Sequence, residues 1–314
     1  KMKVLFLYPL WTGETKGIAG YFAKKSGGTI LPYNLALLAA ITEKAGHEAK
    51  IIDGELEKIP LDEIVTRSKK YNPDVVVLTG MTPFYNIAVE CAGLLKANDI
   101  NASICVGGPH TTIMEEKAFN KEFDFGFVGD GEESWVKFLQ AKKEKIGFQE
   151  VPGLMYRENG SIKKNKRVHA AKDLDVYPSP YLTGEFEYLV PEDKDHNYQA
   201  IIETNRGCPF LCTYCYWGRG GNSTKYRFHS LERVFAEIDW FAKKKIDHIF
   251  NADSNFGMHK RDEKIAEKLI ETKLKTGYPD KFRTCWGKNI SEQIFKIANM
   301  LHTHGLEKGI TLAR

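Results

Sequence analysis

The apolar run Val75-Val-Val-Leu78 continues directly into Thr79-Gly-Met-Thr-Pro83, and this stretch decides the fold of the N-terminal part of the chain. An apolar run without polar alternation is typical of a strand that is covered on both faces, as in parallel sheets flanked by helices. The glycine and proline that follow end the strand and turn the chain toward a helix. The stretch therefore predicts one βα unit of an open parallel sheet.

The same alternation of strand and helix patterns extends in both directions from this unit. Further strands are predicted over Lys3–Tyr8, Glu48–Asp53, Ala102–Gly107 and Phe123–Val128. Helices are predicted over Tyr33–Ala45, Leu61–Tyr71, Tyr85–Asn98, Met114–Asn120 and Glu132–Lys142. Because crossover helices join parallel strands in right-handed units, we predict a doubly wound, Rossmann-like α/β sheet.

The predicted strand ends carry small and polar residues at the edge where doubly wound sheets bind ligands. The four loops are Tyr8–Gly13, Thr79–Pro83, Gly107–Thr112 and Gly129–Glu133. Each loop alone could be a tight turn, but glycines on four loops of one edge would let a ligand approach the backbone closely. No GxGxxG follows the first strand, so the sequence gives no support for a dinucleotide site.

A second α/β series follows a hairpin pattern around Asn159-Gly160 and a segment rich in proline and charge. We predict domains over residues 1–145 and 198–314, with the hairpin and linker over 146–197. The second series has strands at Gln199–Thr204, Asp247–Ala252, Phe282–Trp286 and Gly309–Leu312, and helices at Leu231–Lys245, Asp262–Thr276 and Ser291–His302. This pattern predicts a partial (β/α) TIM-type barrel that ends near its fourth strand, in a chain that we expect to be a fragment of a longer polypeptide.

The composition excludes several classes of protein. The 314 residues include 45 basic and 41 acidic side chains, and a formal charge of +4 is too small to indicate nucleic acid or anionic lipid as a partner. No apolar run reaches the ~18 residues that a membrane span needs. The run Val4–Trp11 is too short for a signal sequence. We therefore place the protein in the cytoplasm.

The six cysteines are too sparse for a disulfide framework. Three of them stand alone among apolar neighbours and are predicted to be small core residues: Cys91, Cys105 and Cys285. The other three crowd into the segment Arg206-Gly-Cys208-Pro-Phe-Leu-Cys212-Thr-Tyr-Cys215, directly after a predicted strand. Three thiolates on one loop suit an iron–sulfur cluster, whereas structural zinc needs four ligands and no fourth cysteine is near in sequence. The spacing therefore favours a 4Fe–4S cluster with one iron open to a ligand.

This C-x₃-C-x₂-C loop, placed after the first strand of a βα series, resembles the radical S-adenosylmethionine (SAM) superfamily over residues 198–314. The resemblance implies that Cys208, Cys212 and Cys215 hold the cluster and that its open iron chelates SAM. Reductive cleavage of SAM would then give a 5′-deoxyadenosyl radical. It further implies that Tyr214 lies against the adenine, and that Arg283 and Lys288 are candidates for the methionine carboxylate. Asp253 and Asn255 are candidates for the amino group of SAM, although either could instead cap the following turn.

The N-terminal part resembles the cobalamin-binding domain that precedes the radical domain in one large subgroup of that superfamily. The glycine loops carry this resemblance. The implied cobalamin contacts are Thr12, Thr79, Thr82, Phe84, Gly107, Gly108, His110, Thr111, Gly129, Gly131 and Glu132. The Asp-x-His-x-x-Gly motif of many cobalamin modules is missing, so we expect no histidine ligand to cobalt. Met81, Phe84 and Tyr85 are the candidates for the side chain beneath the corrin ring, although all three could instead pack beneath the helix that follows.

The resemblance implies a methyltransferase that methylates an unactivated carbon by means of the adenosyl radical and methylcobalamin. Radical cyclisation, oxidation or ring rearrangement remain open within the same architecture. A methylthiotransferase would need three cysteines in the first domain, which has two, and a non-catalytic iron–sulfur carrier is the alternative from another class. The implied partners are a small-molecule or peptide substrate and an electron donor such as flavodoxin or ferredoxin, with no nucleic acid.

Overall fold

The structure is a computed structural model that describes residues 1–11, 29–167, 173–190, 198–215, 225–288 and 291–307. The chain divides into two compact units. The first unit comprises residues 1–26 and 34–171, and the second comprises residues 27–33 and 172–314.

A mainly parallel sheet forms the centre of the first unit. Its strands are β1 (Lys3–Tyr8), β3 (Glu48–Asp53), β4 (Val75–Thr79), β5 (Ser103–Gly107), β6 (Phe125–Phe127), β7 (Leu154–Glu158) and β8 (Ser161–Lys164); β2 (Thr29–Ile30) belongs to the second unit. The helices are α1 (Tyr33–Lys44), α2 (Gly54–Glu57), α3 (Leu61–Tyr71), α4 (Tyr85–Ala97), α5 (Pro109–Met114) and α6 (Gly131–Glu144). The strand order β3-β1-β4-β5-β6 is parallel throughout, which confirms the predicted doubly wound α/β fold.

The core of the first unit lies between this sheet and its helices. All five residues of β4 are buried, as its unbroken apolar sequence predicts. Val76 and Leu78 pack in one buried cluster with Leu95 and Cys91 of α4. Burial of each Val or Leu side chain stabilises the fold by ~1.5–3 kcal/mol. Cys91 and Cys105 are fully buried, so both are core residues as predicted.

Two predictions for the first unit differ from the structure. The helix expected over Met114–Asn120 is replaced by α5 and a 3₁₀ turn over Glu115–Ala118. Pro109, which is separated from β5 by Gly108 alone, starts the helix early because its fixed φ suits the first helical position. The hairpin β7–β8, expected in the linker that begins at residue 146, instead extends the sheet because β7 pairs antiparallel with β6.

The second unit has a sheet of order β13-β12-β9-β2. Its strands are β9 (Tyr198–Ile202), β12 (His248–Phe256) and β13 (Lys281–Trp286), all parallel together with β2, and a separate short pair is formed by β10 (Asn205–Arg206) and β11 (Arg227–Phe228). The helices are α7 (Leu231–Lys243), α8 (Lys260–Thr276) and α9 (Glu292–Thr303). The strand expected over Gly309–Leu312 lies outside the described residues, so the partial barrel remains a prediction.

Local signals fix the ends of the helices in the second unit. The side chains of Ser230 and Ser291 accept backbone N–H groups in the first turns of α7 and α9, as helix N-caps do. Gly277, at φ +83°, ends α8. The prediction that Cys285 is a core residue is wrong: it is exposed on β13, a strand with neighbours on one side only among the described residues. No described helix combines the length and apolar character of a membrane span.

Candidate functional site

The crevice between β1 and β4 is the topological switch point of the first sheet. β3 lies on one side of β1, whereas β4 and the later strands lie on the other side, so the direction of winding reverses there. Aromatic side chains occupy this crevice. Phe84, after β4, stacks on Trp11 with ring centroids 5.0 Å apart and meets the ring of Tyr8 edge-on at 5.6 Å. The structure thus places the predicted residue Phe84 at the switch point, beside the carboxyl ends of β1 and β4.

Asp53 ends β3 at the same edge and was not among the predicted site residues. It is fully buried, and its Oδ1 accepts the backbone N–H of Leu56 at 2.9 Å as the N-cap of α2. Its Oδ2 is buried without a hydrogen-bond partner. Burial raises the pKa of Asp53 from its ordinary 3.8 to about 7. An acidic residue at the end of an apolar strand was the signal available in the sequence.

Asp53→Asn is expected to make the chain more stable above pH 7. The folded-state pKa of Asp53 lies above its unfolded value, so stability falls as the pH rises from about 4 to about 7 and the buried carboxyl ionises. Asparagine keeps the cap to Leu56 without that charge. We expect the free energy of unfolding at pH 8 to rise by on the order of 1–3 kcal/mol. Urea unfolding of both proteins from pH 4 to pH 8 measures this, and a variant less stable than the parent at pH 8 would contradict it.

The glycine loops after β4 and β5 pack directly against each other. The N–H of Gly80 donates to the carbonyl of Gly107 at 2.5 Å, and the N–H of His110 donates to the carbonyl of Gly80 at 2.8 Å. A Cβ on Gly108 would lie 3.1 Å from the carbonyl oxygen of Gly80, and its φ of +110° disfavours any other residue. A Cβ on Gly107 would meet, among the described residues, only Phe127 at 3.6 Å. Gly107 therefore presents partly exposed backbone without a side chain.

Alanine at the two neighbouring glycines is expected to have very different effects. Gly108→Ala forces a strained backbone against Gly80 and should cost about 1–3 kcal/mol of stability. Gly107→Ala should stay within about 0.5 kcal/mol, because its Cβ makes an ordinary contact. Denaturant unfolding of the two variants compares them directly. Equal losses of stability would refute this assignment of the glycines.

The structure brings most of the predicted polar residues of the first unit to these loops. Thr82 is exposed and its Oγ1 lies 3.1 Å from Nδ1 of His110. Thr79 is buried and accepts a hydrogen bond from Asn34 at 2.9 Å, and Thr111 is buried with an unpartnered hydroxyl. The remaining predicted residues begin or precede α6, namely Gly129, Gly131 and the buried Glu132, whereas Thr12 lies outside the described residues.

The cysteine loop of the second unit follows β9 and β10. Cys208 is 3% exposed, whereas Cys212 and Cys215 are partly exposed, and the N–H of Cys215 donates to the carbonyl of Cys212 at 3.1 Å. Among the described residues, no three ligating side chains surround a point where one metal ion would fit. A cubane cluster binds each thiolate through a different iron, so the three free thiols of this loop need not meet at one metal ion to hold a cluster.

Asp253 anchors the segment that leads into this loop. Its Oδ1 accepts the backbone N–H groups of Thr204 at 2.8 Å and Asn205 at 3.0 Å, and its Oδ2 accepts the Asn205 side-chain amide at 2.8 Å and the Thr204 hydroxyl. The side chain is 1% exposed, and burial raises its pKa to about 7. These contacts favour a positioning role for Asp253. The predicted contact with SAM remains a prediction.

The other predicted SAM residues lie in different surroundings. Asn255 is fully buried on β12, and its Nδ2 donates to Sγ of Cys208 at 3.2 Å. Tyr214 is 78% exposed between Cys212 and Cys215. Arg283 is exposed on β13, where it pairs in register with Phe250 of β12. The structure therefore brings Asn255 to a cysteine, and leaves Tyr214 and Arg283 accessible to a ligand.

Comparison with known proteins gives matches for both parts of the chain. The B12 binding domain family matches residues 22–139. TokK of Streptomyces tokunonensis, a cobalamin-dependent radical SAM methyltransferase, is 31% identical over 246 residues, which is 77% of this chain and 36% of TokK. An anaerobic magnesium-protoporphyrin IX monomethyl ester cyclase of Synechocystis sp. is 24% identical over 284 residues, which is 87% of this chain and 54% of the cyclase. The chain thus spans about a third to a half of the length of these relatives.

Two solved structures share the fold. The cobalamin-dependent SAM radical enzyme OxsB, with aqua-cobalamin and SAM bound, superposes with a TM-score of 0.70 at 18% identity, over 98% of this chain and 43% of OxsB. The radical SAM methyltransferase TsrM of Kitasatospora setae, with cobalamin and a [4Fe-4S] cluster bound, gives a TM-score of 0.68 at 18% identity, over 97% of this chain and 57% of TsrM. These similarities confirm the α/β fold.

The fold and the matched domain together define the class, an α/β protein that carries a B12-binding domain. The relatives then add the chemistry that this class is similar to. The chain matches the B12 binding domain family and is similar to a cobalamin-dependent radical SAM methyltransferase, which confirms the resemblance that the cysteine loop and the glycine loops carry.

Proposed function

We propose that the protein is a cobalamin-dependent radical SAM methyltransferase that methylates an unactivated carbon of a small molecule. The observation that carries this proposal is the loop of Cys208, Cys212 and Cys215 at the carboxyl end of β9, in the same chain as a B12-binding domain. The methyltransferase name of TokK supports the choice of reaction. When bound, a 4Fe–4S cluster would supply the electron that cleaves SAM, and cobalamin would supply the methyl group.

The residues of the second unit can hold and orient these groups. The three thiols provide the soft ligands that an iron–sulfur cluster needs. Asp253 fixes the backbone of Thr204 and Asn205, so the loop before Cys208 is anchored from β12. Tyr214 and Arg283 present an accessible ring and an accessible cation, which suit an adenine and a carboxylate respectively.

The residues of the first unit suit a large, mostly neutral ligand. Gly107 offers backbone without a side chain, and Thr82 and His110 offer accessible polar groups at the same strand ends. Phe84 and Trp11 offer a stacked aromatic surface at the switch point. We assign cobalamin to this edge and assign no cobalt bond to His110.

A second candidate reaction is supported by the cyclase relative, which matches 87% of this chain. A cyclase would use the same cysteine loop and differ in the fate of the substrate radical. We favour methylation because the methyltransferase relative is more similar, at 31% against 24% identity. We further propose flavodoxin or ferredoxin as the electron donor and the cytoplasm as the location.

The test is to purify the protein from cobalamin-supplied cells, reconstitute it with iron and sulfide, and record its optical spectrum. We expect corrin absorbance together with a cluster band. Addition of SAM and a reductant should release methionine and 5′-deoxyadenosine. The EPR spectrum of the cob(II)alamin form should show no splitting from a protein nitrogen. A protein that binds a cluster without cobalamin would refute the methyltransferase proposal, and nitrogen splitting would refute the assignment for His110.

A further inference from the structure

The side-chain amide of Asn255 is the feature of the second unit that the proposed function leaves unexplained. Its Nδ2 lies 3.2 Å from Sγ of Cys208, and both residues are buried, at 0% and 3% exposure. Cys212 and Cys215, in contrast, are partly exposed. The first sulfur of the loop therefore sits in a water-excluded position with a fixed N–H donor directed at it.

Neighbouring contacts hold this donor in place. Nδ2 of Asn255 also donates to Oγ of Ser254 at 2.9 Å, and that hydroxyl donates to the carbonyl of Gly207 at 2.6 Å. Gly207 immediately precedes Cys208, so two consecutive side chains of β12 bind two consecutive residues of the cysteine loop. The position of the amide relative to the sulfur is thus fixed from both sides of the hydrogen bond.

We propose that Asn255 is a positioning residue that orients Cys208 and raises the reduction potential of the cluster bound there. The inference rests on the proposed function, since it requires the cluster. A hydrogen bond to a ligating sulfur stabilises the more negative, reduced state, because it withdraws electron density from the thiolate. One electron enters the cluster from the external donor, and no bond forms or breaks in this step. Asn255 thereby makes the cluster easier to reduce.

This role uses the amide nitrogen of Asn255, whereas the contact with the SAM amino group that the sequence suggests would use the amide oxygen. The two N–H bonds of Nδ2 are directed at Cys208 and Ser254, and Oδ1 is buried without a hydrogen-bond partner. The effect is expected to be larger at a dry site than at an exposed one, since water does not compete for the sulfur.

The chain offers a matched control in Asn251. It is also an asparagine of β12, also fully buried, and it exchanges hydrogen bonds with Asp253 rather than with a sulfur. Asn251→Ala should lower stability while leaving the potential of the cluster unchanged. A merely structural role for Asn255 would give the two variants the same behaviour.

The experiment is an EPR-monitored redox titration of the full chain after reconstitution with iron and sulfide. For Asn255→Ala we expect the ratio of reduced to oxidised cluster at a fixed potential to fall about tenfold, which is 59 mV for a one-electron couple. Asn255→Asp should lower the ratio further, because a carboxylate oxygen facing the thiolate repels it. Asn251→Ala should titrate as the parent protein does.

The outcomes separate this inference from the proposed function. If the parent protein takes up no cluster, the proposed function fails. If the parent is loaded and Asn255→Ala and Asn255→Asp titrate as it does, the proposed function stands and the role of Asn255 is refuted. If Asn255→Ala fails to fold, Asn255→Asp is used instead, because it keeps the shape of the side chain. A fall in its ratio of reduced to oxidised cluster supports the role of Asn255, and an unchanged ratio refutes it.

Discussion

Replacing Cys208, Cys212 or Cys215 with alanine is expected to abolish cluster binding. Each substitution leaves one iron of the cubane without its thiolate, and the loop has no spare ligand in sequence. Iron content after reconstitution should fall from about four atoms per chain to near zero. Cleavage of SAM should be lost with it. Iron and sulfide analysis together with the cluster absorbance band measures the result.

Cys285→Ala is the control for this prediction. Cys285 is a free, exposed cysteine on β13, so its loss removes a thiol without removing buried packing. We expect full iron content and less than about 0.5 kcal/mol change in stability. If Cys285→Ala also emptied the site, the cluster would have a fourth cysteine ligand. The open iron would then be lost, and an electron carrier would become the better interpretation.

Asp253→Ala is expected to produce the largest loss of stability in the second unit. The carboxylate accepts the backbone N–H groups of Thr204 and Asn205 and both of their side chains, all in buried positions. Removing the carboxylate leaves these buried donors without acceptors, which should lower the free energy of unfolding by about 3–5 kcal/mol. Because the same segment leads into Cys208, reconstitution with iron and sulfide should also become slower.

Asp253→Asn is the matched variant, since it keeps the shape and one acceptor oxygen. It should retain the bonds to the two backbone N–H groups and lose less stability than Asp253→Ala. Denaturant unfolding and the rate of cluster uptake distinguish the two. Equal stability of the parent and Asp253→Ala would show that the network does not anchor the loop.

Strands and helices whose apolar residues follow a single strand or helix periodicity were predictable from the sequence. The bounds of β1, β3 and α3 agree with the prediction, because each has an apolar pattern that is closed at both ends by polar or turn residues. The bounds of α5 were not predictable from that pattern. Pro109 is a local signal for its start, and its first turn is also held by the N–H of His110, which donates to the carbonyl of Gly80, a residue distant in sequence.

The candidate site was predictable to a similar extent. The spacing of the three cysteines is local information, and it identified the loop. The role of Asn255 depends on which face of β12 meets Cys208, and that is set by the pairing of β12 with β9. Asp53 was missed because its significance lies in its burial, which the sequence does not state. Cys285 was placed in the core because its neighbours are apolar, whereas β13 presents it on an exposed side.

The short strand β2 has a consequence for dissecting the protein. Residues 27–33 belong to the second unit although the first unit both precedes and follows them in sequence. They contribute β2, which pairs with β9. They also contribute Tyr33, which is 8% exposed and whose ring centroid lies 5.8 Å from that of Tyr181. A protein expressed from residue 172 onward would therefore lack an internal piece of its own sheet and expose β9 as an unprotected edge. The two units cannot be separated by a single cut. A transplanted second unit would have to carry residues 27–33 with it.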